Sequence, residues 1–165
     1  MGVYGSFSGV VTAIQDFWDG ADRPSGCTKL MTLTNRAGQT VNFVVLPDTY
    51  FIGHVMVRPG DAVTGFYDAA APVPLIYPPQ YAALVMARAV PGRRVAVDWF
   101  GPELISSEGS LVLNIGPATR VVLQNGQAFT GELGNRDLAV VYGPTTRSIP
   151  ARTTPYQVVV LCSGV

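Results

Sequence analysis

The chain alternates between short apolar segments and stretches rich in glycine, proline and small polar residues. Residues 6–17 place Val10, Thr12 and Ile14 on one parity, and their β-branched content favours a strand. Residues 82–88 have a helix-forming composition, but no segment keeps a 3.6-residue period with capping residues, so we predict an all-β protein. The same criteria predict strands at 28–35, 40–46, 55–57, 62–67, 81–87, 95–100, 104–106, 110–115, 119–123, 138–142 and 156–161.

Two segments of the chain share one pattern. Residues 61–87 and 137–162 each hold an apolar run ending in tyrosine, a proline-rich loop and a second apolar run beginning near a tyrosine. This aligns Tyr67 with Tyr142 and Tyr81 with Tyr156. Residues 41–49 align in the same way with residues 111–119. The repeated pattern predicts that a small β unit was duplicated, with units at 1–90 and 91–165.

The order of elements in the first half resembles the OB-fold, a five-stranded Greek-key barrel. Gly9 in the first strand, the turn at 35–39 and the Pro59-Gly60-Asp61 turn carry this resemblance. It implies two tandem OB-like barrels packed together, the second diverged by an extra hairpin at 107–109. An SH3-like barrel or a β-sandwich remains an alternative for both halves. The stretch from Tyr142 to Pro150 is also similar to a segment of uncharacterised bacterial proteins.

Composition points towards contacts between proteins. Charged residues make up 13% of the chain and hydrophobic residues 48%, with 11 basic and 11 acidic residues that cancel. An average domain has ~25% charged residues. A surface poor in charge favours buried subunit interfaces, so we expect a homo-oligomer or a protein partner. Tight non-specific binding of nucleic acid requires a basic excess that this chain lacks.

No targeting or membrane segment is expected. The first residues lack a charged region followed by a long apolar one, and no run approaches the ~18 apolar residues of a membrane span. We therefore predict a cytoplasmic protein without membrane contact. Cys27 and Cys162 lie far apart with no metal or redox spacing. We expect two buried thiols, with a disulfide as the alternative.

Candidate catalytic chemistry is sparse. His54 is the one histidine, and no motif surrounds it. Asp16, Asp19 and Asp22 share a glycine-containing loop, but their spacing is not that of a calcium-binding loop. No glycine-rich phosphate-binding motif occurs. We therefore predict no enzyme activity, no catalytic residues, no metal site and no cofactor.

Aromatic residues mark the one candidate ligand site. Trp18 lies in the first long loop, and Tyr67, Tyr77 and Tyr81 surround the proline-rich loop. Such rings can stack on a sugar or a base, so a carbohydrate or single-stranded nucleic acid is one candidate ligand. The alternative is that prolines and tyrosines pack on each other. We expect a non-enzymatic interaction or structural module that self-associates, with ligand binding as the second hypothesis.

Overall fold

The computed structural model describes residues 2–18, 20, 22 and 24–162. Strands account for 46% of the residues, and the described part contains no α-helix. One short 3₁₀ turn, Ile52–His54, interrupts the strands. The prediction of an all-β protein is confirmed.

The chain divides into two compact units, and the first runs from Tyr4 to Ala89. We call it the N-terminal unit. One mixed sheet contains all its strands in the order β4-β7-β5-β1-β2-β3-β6. The strands are β1 (Tyr4–Asp16), β2 (Lys29–Thr34), β3 (Thr40–Val45), β4 (Tyr50–Phe51), β5 (Ala62–Asp68), β6 (Gln80–Ala82) and β7 (Val85–Arg88).

The second unit, the C-terminal unit, comprises residues 90–162 together with Gly2 and Val3. The Gly2 amide donates a hydrogen bond to Asp137 Oδ1 at 3.2 Å. A four-stranded sheet has the order β10-β13-β11-β8, and a separate pair joins β12 to β9. The strands are β8 (Arg94–Phe100), β9 (Leu111–Leu113), β10 (Arg120–Leu123), β11 (Arg136–Tyr142), β12 (Ala151–Thr153) and β13 (Gln157–Val160).

The prediction of two tandem OB-like barrels is wrong, because the sheets are those of a β-solenoid of about three turns. In both units the chain returns 35 to 40 residues later to lie parallel to an earlier strand. The parallel pairs are β3 with β6, β4 with β7, β9 with β12 and β10 with β13. The hydrophobic periodicity of a sequence indicates which residues form strands. It does not indicate which distant strands pair with each other.

Each unit has its own apolar core. In the N-terminal unit Phe43 is fully buried and occupies the space beside Gly65, where an added Cβ would lie 2.6 Å from its ring. The core residues of that unit are Val11, Met31, Leu33, Val41, Phe43, Val63, Ala83 and Met86. Those of the C-terminal unit are Phe100, Leu111, Leu113, Leu138, Val140, Val158 and Val160.

A threonine turn recurs in the two units. Thr49 Oγ1 donates to the Ala83 carbonyl at 2.7 Å, and Thr119 Oγ1 donates to the Pro155 carbonyl at 2.7 Å. Each hydroxyl also accepts a hydrogen bond from the backbone N–H three residues earlier. These contacts place Thr49 and Thr119 in equivalent positions, as the sequence alignment has them.

The alignment of Tyr81 with Tyr156 does not match the hydrogen bonding. Leu84 N donates to the Phe66 carbonyl at 2.8 Å, and Tyr156 N donates to the Val141 carbonyl at the same distance. Tyr156 therefore takes the position of Leu84. The segment from Tyr67 to Leu84 is three residues longer than the equivalent segment from Tyr142 to Tyr156. The alignment of Tyr81 with Tyr156 is therefore displaced by three residues.

Candidate functional site

The candidate site is the proline-rich loop at residues 69–79, between β5 and β6. Its first residues are fixed by Asp68, whose Oδ1 accepts the Ala70 N–H at 2.9 Å. Its last residue is fixed by Pro79, whose carbonyl accepts the Asn42 N–H at 2.9 Å. The peptide bond between Tyr77 and Pro78 is cis. Both ends of the loop are thus tied to the sheet.

Two tyrosines form the base of this loop. The rings of Tyr67 and Tyr81 stack with centroids 3.8 Å apart and planes 9° from parallel. Phe43 contacts both rings, with each pair of centroids at 6.2 Å. Burial is the largest effect that raises the pKa of Tyr67, and a hydrogen bond with the Tyr81 side chain raises it further. The stack joins the end of β5 to β6 and so connects the two ends of the loop.

The tip of the loop exposes large apolar side chains. Leu75 is fully exposed, Tyr77 is 82% exposed, and Val73 and Ile76 are about half exposed. Residues 69–79 contain no charged side chain. Single exposed apolar residues are common on protein surfaces, but four within five positions form a patch. We call residues 73–77 the apolar tip.

The four aromatic residues predicted as a ligand site are not brought together. Tyr67 and Tyr81 stack on each other, while Tyr77 points into solvent from the apolar tip. Trp18 is 62% exposed and follows Asp16 at the end of β1. Tyr67 lies beside Gly5 at the other end of that strand. Trp18 makes no ring contact with any described residue.

The C-terminal unit has a shorter loop of the same kind at residues 143–150. Ile149 is 97% exposed and precedes a cis peptide bond to Pro150, as Tyr77 precedes Pro78. The loop is closed by polar contacts, because Thr153 Oγ1 donates to the Pro144 carbonyl at 2.9 Å. Ile149 is therefore a single exposed apolar residue on a polar loop.

An open groove of about 490 Å³ lies elsewhere in the N-terminal unit. Residues 8–10, 34–37 and 62–64 line it together with Ala89. The Ser8 and Thr64 hydroxyls within it hydrogen bond to each other at 2.6 Å. Among the described residues that line the groove, none is aromatic and Arg36 alone is charged. None of the four predicted aromatic residues contributes to it.

Of the remaining polar candidates, His54 and Asp16 have local partners. The His54 ring packs edge-on against Tyr50 at 5.5 Å, and Asp16 forms an exposed ion pair with Lys29. Asp19 lies outside the described residues. Cys27 and Cys162 are free and exposed, so the expectation of buried thiols is wrong. Across residues 2–18, 20, 22 and 24–162, no group of three His, Cys, Asp or Glu side chains is arranged to hold a metal ion.

Within the described part of the chain, no helix has the length and apolar character needed to cross a membrane. No protein-family model matches the sequence, and no curated protein matches it.

Proposed function

We propose that this chain is a non-enzymatic interaction module that self-associates through the apolar tip at residues 73–77. The observation that carries the proposal is the exposure of four large apolar side chains on one anchored loop. Exposed apolar patches of this kind mark protein interaction sites in soluble proteins. The Tyr67–Tyr81 stack supports the proposal because it holds the root of the loop while the tip projects.

A second copy of the chain is the occupant that the charge distribution favours. The chain has no net charge, and only 13% of its residues are charged. Two copies therefore approach each other without long-range repulsion, and proteins near zero net charge associate more readily. The tip itself is uncharged, so it has no electrostatic preference for a basic or an acidic partner.

The magnitude of the burial sets the strength of this contact. Complete burial of a side chain the size of Leu75, Ile76 or Tyr77 contributes about 1.5–3 kcal/mol. Association costs roughly 4–15 kcal/mol in lost translational and rotational freedom. Three such side chains offset the lower part of that cost. We expect the tip alone to support weak association and a second contact to be needed for a stable assembly.

Ligand binding by the four aromatic residues receives less support. A sugar or a base stacks on a free ring face, but Tyr67 and Tyr81 use their facing surfaces on each other. Trp18 and Tyr77 are exposed but lie on separate loops. The arrangement therefore favours the alternative in which Tyr67 and Tyr81 pack on each other at the root of the loop over a role for them in ligand binding.

We also propose that the two units descend from one duplicated ancestor. The support is the equivalent bonding of Thr49 and Thr119 and the parallel returns in both units. Two proline-containing loops that each expose an apolar residue directly before a proline, Tyr77 and Ile149, add to it. The apolar tip is then an elaboration of the N-terminal copy, since the C-terminal loop exposes Ile149 alone.

The test is sedimentation of a tip variant, Leu75→Ser/Ile76→Ser, against Ile149→Ser as the matched control. Both variants replace exposed apolar side chains by serine, so neither disturbs a core. We expect the tip variant to associate at least about tenfold more weakly than the unmodified chain, from the loss of roughly 1.4 kcal/mol or more per dimer. The control should be unchanged. A tip variant that associates as the unmodified chain does would contradict the proposal.

A further inference from the structure

Strand β8 ends the four-stranded sheet of the C-terminal unit. Among the described strands it pairs with β11 alone, and the register places Arg94 opposite Tyr142 and Asp98 opposite Leu138. An edge strand presents unpaired N–H and C=O groups that can pair with another chain. The orientation of the backbone decides which residues of β8 present them.

The bonds of β11 to its other neighbour fix that orientation. Val141 and Asp137 accept hydrogen bonds from Tyr156 N and Leu161 N, so the odd-numbered residues of β11 face β13. Backbone groups alternate in direction along a strand, so the even-numbered residues of β11 face β8.

The outward groups of β8 follow from this alternation. Arg94, Ala96 and Asp98 lie opposite the even-numbered residues of β11, so their backbone groups are used inside the sheet. The backbone groups of Val95 and Val97 point out of the sheet, and no described residue bonds to them. The unpaired part of this edge ends at Trp99, because its outward carbonyl already accepts a hydrogen bond from the Ser107 N–H at 2.9 Å.

We propose that β8 pairs with β8 of a second copy, antiparallel and centred on Ala96. The two-fold axis then passes between the two Ala96 residues, and Val95 of each copy lies opposite Val97 of the other. Because the outward groups are those of Val95 and Val97, this register forms four backbone hydrogen bonds. Such a contact is isologous, and it closes as a dimer.

The charges of β8 are complementary in this register. Centring on Ala96 places Arg94 of each copy opposite Asp98 of the other. Arg94 is exposed, and no described residue bonds to its guanidinium. Asp98 Oδ1 already accepts hydrogen bonds from Trp99 N at 2.8 Å and Ser107 Oγ at 2.6 Å, which holds the carboxylate at the edge. Its Oδ2 is left for the arginine.

A shift by two residues would remove this match, because Arg94 would then oppose Ala96 or Phe100. Opposite charges across a pair stabilise it, and like charges directly opposite destabilise it. The sequence Arg-Val-Ala-Val-Asp thus specifies its own antiparallel register. The inference rests on the proposed self-association and supplies the second contact that the apolar tip requires.

The experiment measures dimerisation of charge variants by sedimentation in reducing buffer. In Arg94→Asp, the aspartate at position 94 of each copy lies opposite Asp98 of the other. We expect the two copies to associate at least about tenfold more weakly. Asp98→Arg does the same with arginines. Mixing the two variants restores every pair in a heterodimer, so the mixture should associate as the unmodified chain does. Arg36→Asp, an exposed charge reversal in the N-terminal unit, is the control and should have no effect.

A backbone variant tests the same contact if Asp98→Arg does not fold. Val95→Pro removes an outward N–H that no bond inside the sheet uses, and proline is accepted at the edge of a sheet. We expect this variant to fold, by circular dichroism, and to lose the dimer. Association unchanged in Arg94→Asp and in Val95→Pro would overturn the inference. If the tip variant dissociates the protein and the β8 variants do not, the proposed contact through the apolar tip stands and the β8 contact is contradicted. If the β8 variants dissociate the protein and the tip variant does not, the β8 contact stands and the contact through the apolar tip is contradicted.

Discussion

The rings of Tyr67 and Tyr81 stack 3.8 Å apart across the root of the proline-rich loop. Thirteen residues separate them in sequence, and the loop that joins them carries the two most exposed large apolar side chains described in the N-terminal unit, Leu75 and Tyr77. A rigid root and an exposed tip are the features that make this loop the candidate contact surface. Four predictions test the arrangement.

The first prediction concerns ionisation of Tyr67. Burial and the hydrogen bond to Tyr81 raise its pKa above the ordinary value of 10.0. The folded state disfavours the tyrosinate, so the associated stability is present below pH 10 and is lost as the pH rises through the raised pKa. Tyr81→Phe removes the hydrogen bond but not the burial. The pKa of Tyr67 should then fall part of the way towards its ordinary value.

Absorbance titration of tyrosinate checks this result. The chain has 7 tyrosines, so the Tyr67 step is assigned by difference from a Tyr67→Phe variant. A Tyr67 step at the ordinary position in the unmodified protein would contradict the stacked arrangement.

The second prediction concerns the packing of Gly65. An added Cβ would lie 2.6 Å from the ring of Phe43, which is fully buried and cannot move into solvent. Gly65→Ala should lower the free energy of unfolding by about 1–3 kcal/mol, the usual cost of overpacking. Urea denaturation measures it. Gly101→Ala is the control, because its Cβ would meet nothing closer than 3.5 Å and should cost much less.

The third prediction concerns the recurring threonine turn. Thr49→Val keeps the shape of the side chain but leaves the buried Ala83 carbonyl without its donor. We expect a loss of about 1–2 kcal/mol in the free energy of unfolding. Thr119→Val should cost a similar amount through Pro155. Serine at either position keeps the hydroxyl and should recover most of the loss; no recovery would show that the hydrogen bond is not responsible.

The strands were largely predictable from sequence, because β-branched residues and turn signals bound them closely. Residues 40–46 and 62–67 were predicted, and β3 and β5 are Thr40–Val45 and Ala62–Asp68. Strands β4 and β12 were missed, since they have only two and three residues, and β12 also lies between Pro150 and Pro155. The strand predicted at 55–57 is wrong, because a 3₁₀ turn and an extended segment occupy that region.

Pairing and exposure were not predictable from the sequence pattern. Apolar residues in a loop look the same whether they pack inward or project, so nothing in the sequence of residues 69–79 shows that Leu75 is exposed. The stacking of Tyr67 on Tyr81 depends on the curvature that brings β5 beside β6. The outward direction of Val95 and Val97 depends on the register of β8 and β11. Each of these follows from tertiary pairing.

The fourth prediction is the most direct test of the central claim that this chain self-associates. Sedimentation equilibrium on the reduced protein at micromolar concentrations measures its mass without a partner or a ligand. We expect a mass that rises with concentration above the 17.5 kDa of one chain. Exposed Cys27 and Cys162 require a Cys→Ser double variant as the control against disulfide-linked dimers, and it should behave in the same way. A mass that stays at 17.5 kDa throughout the concentration range would contradict the account.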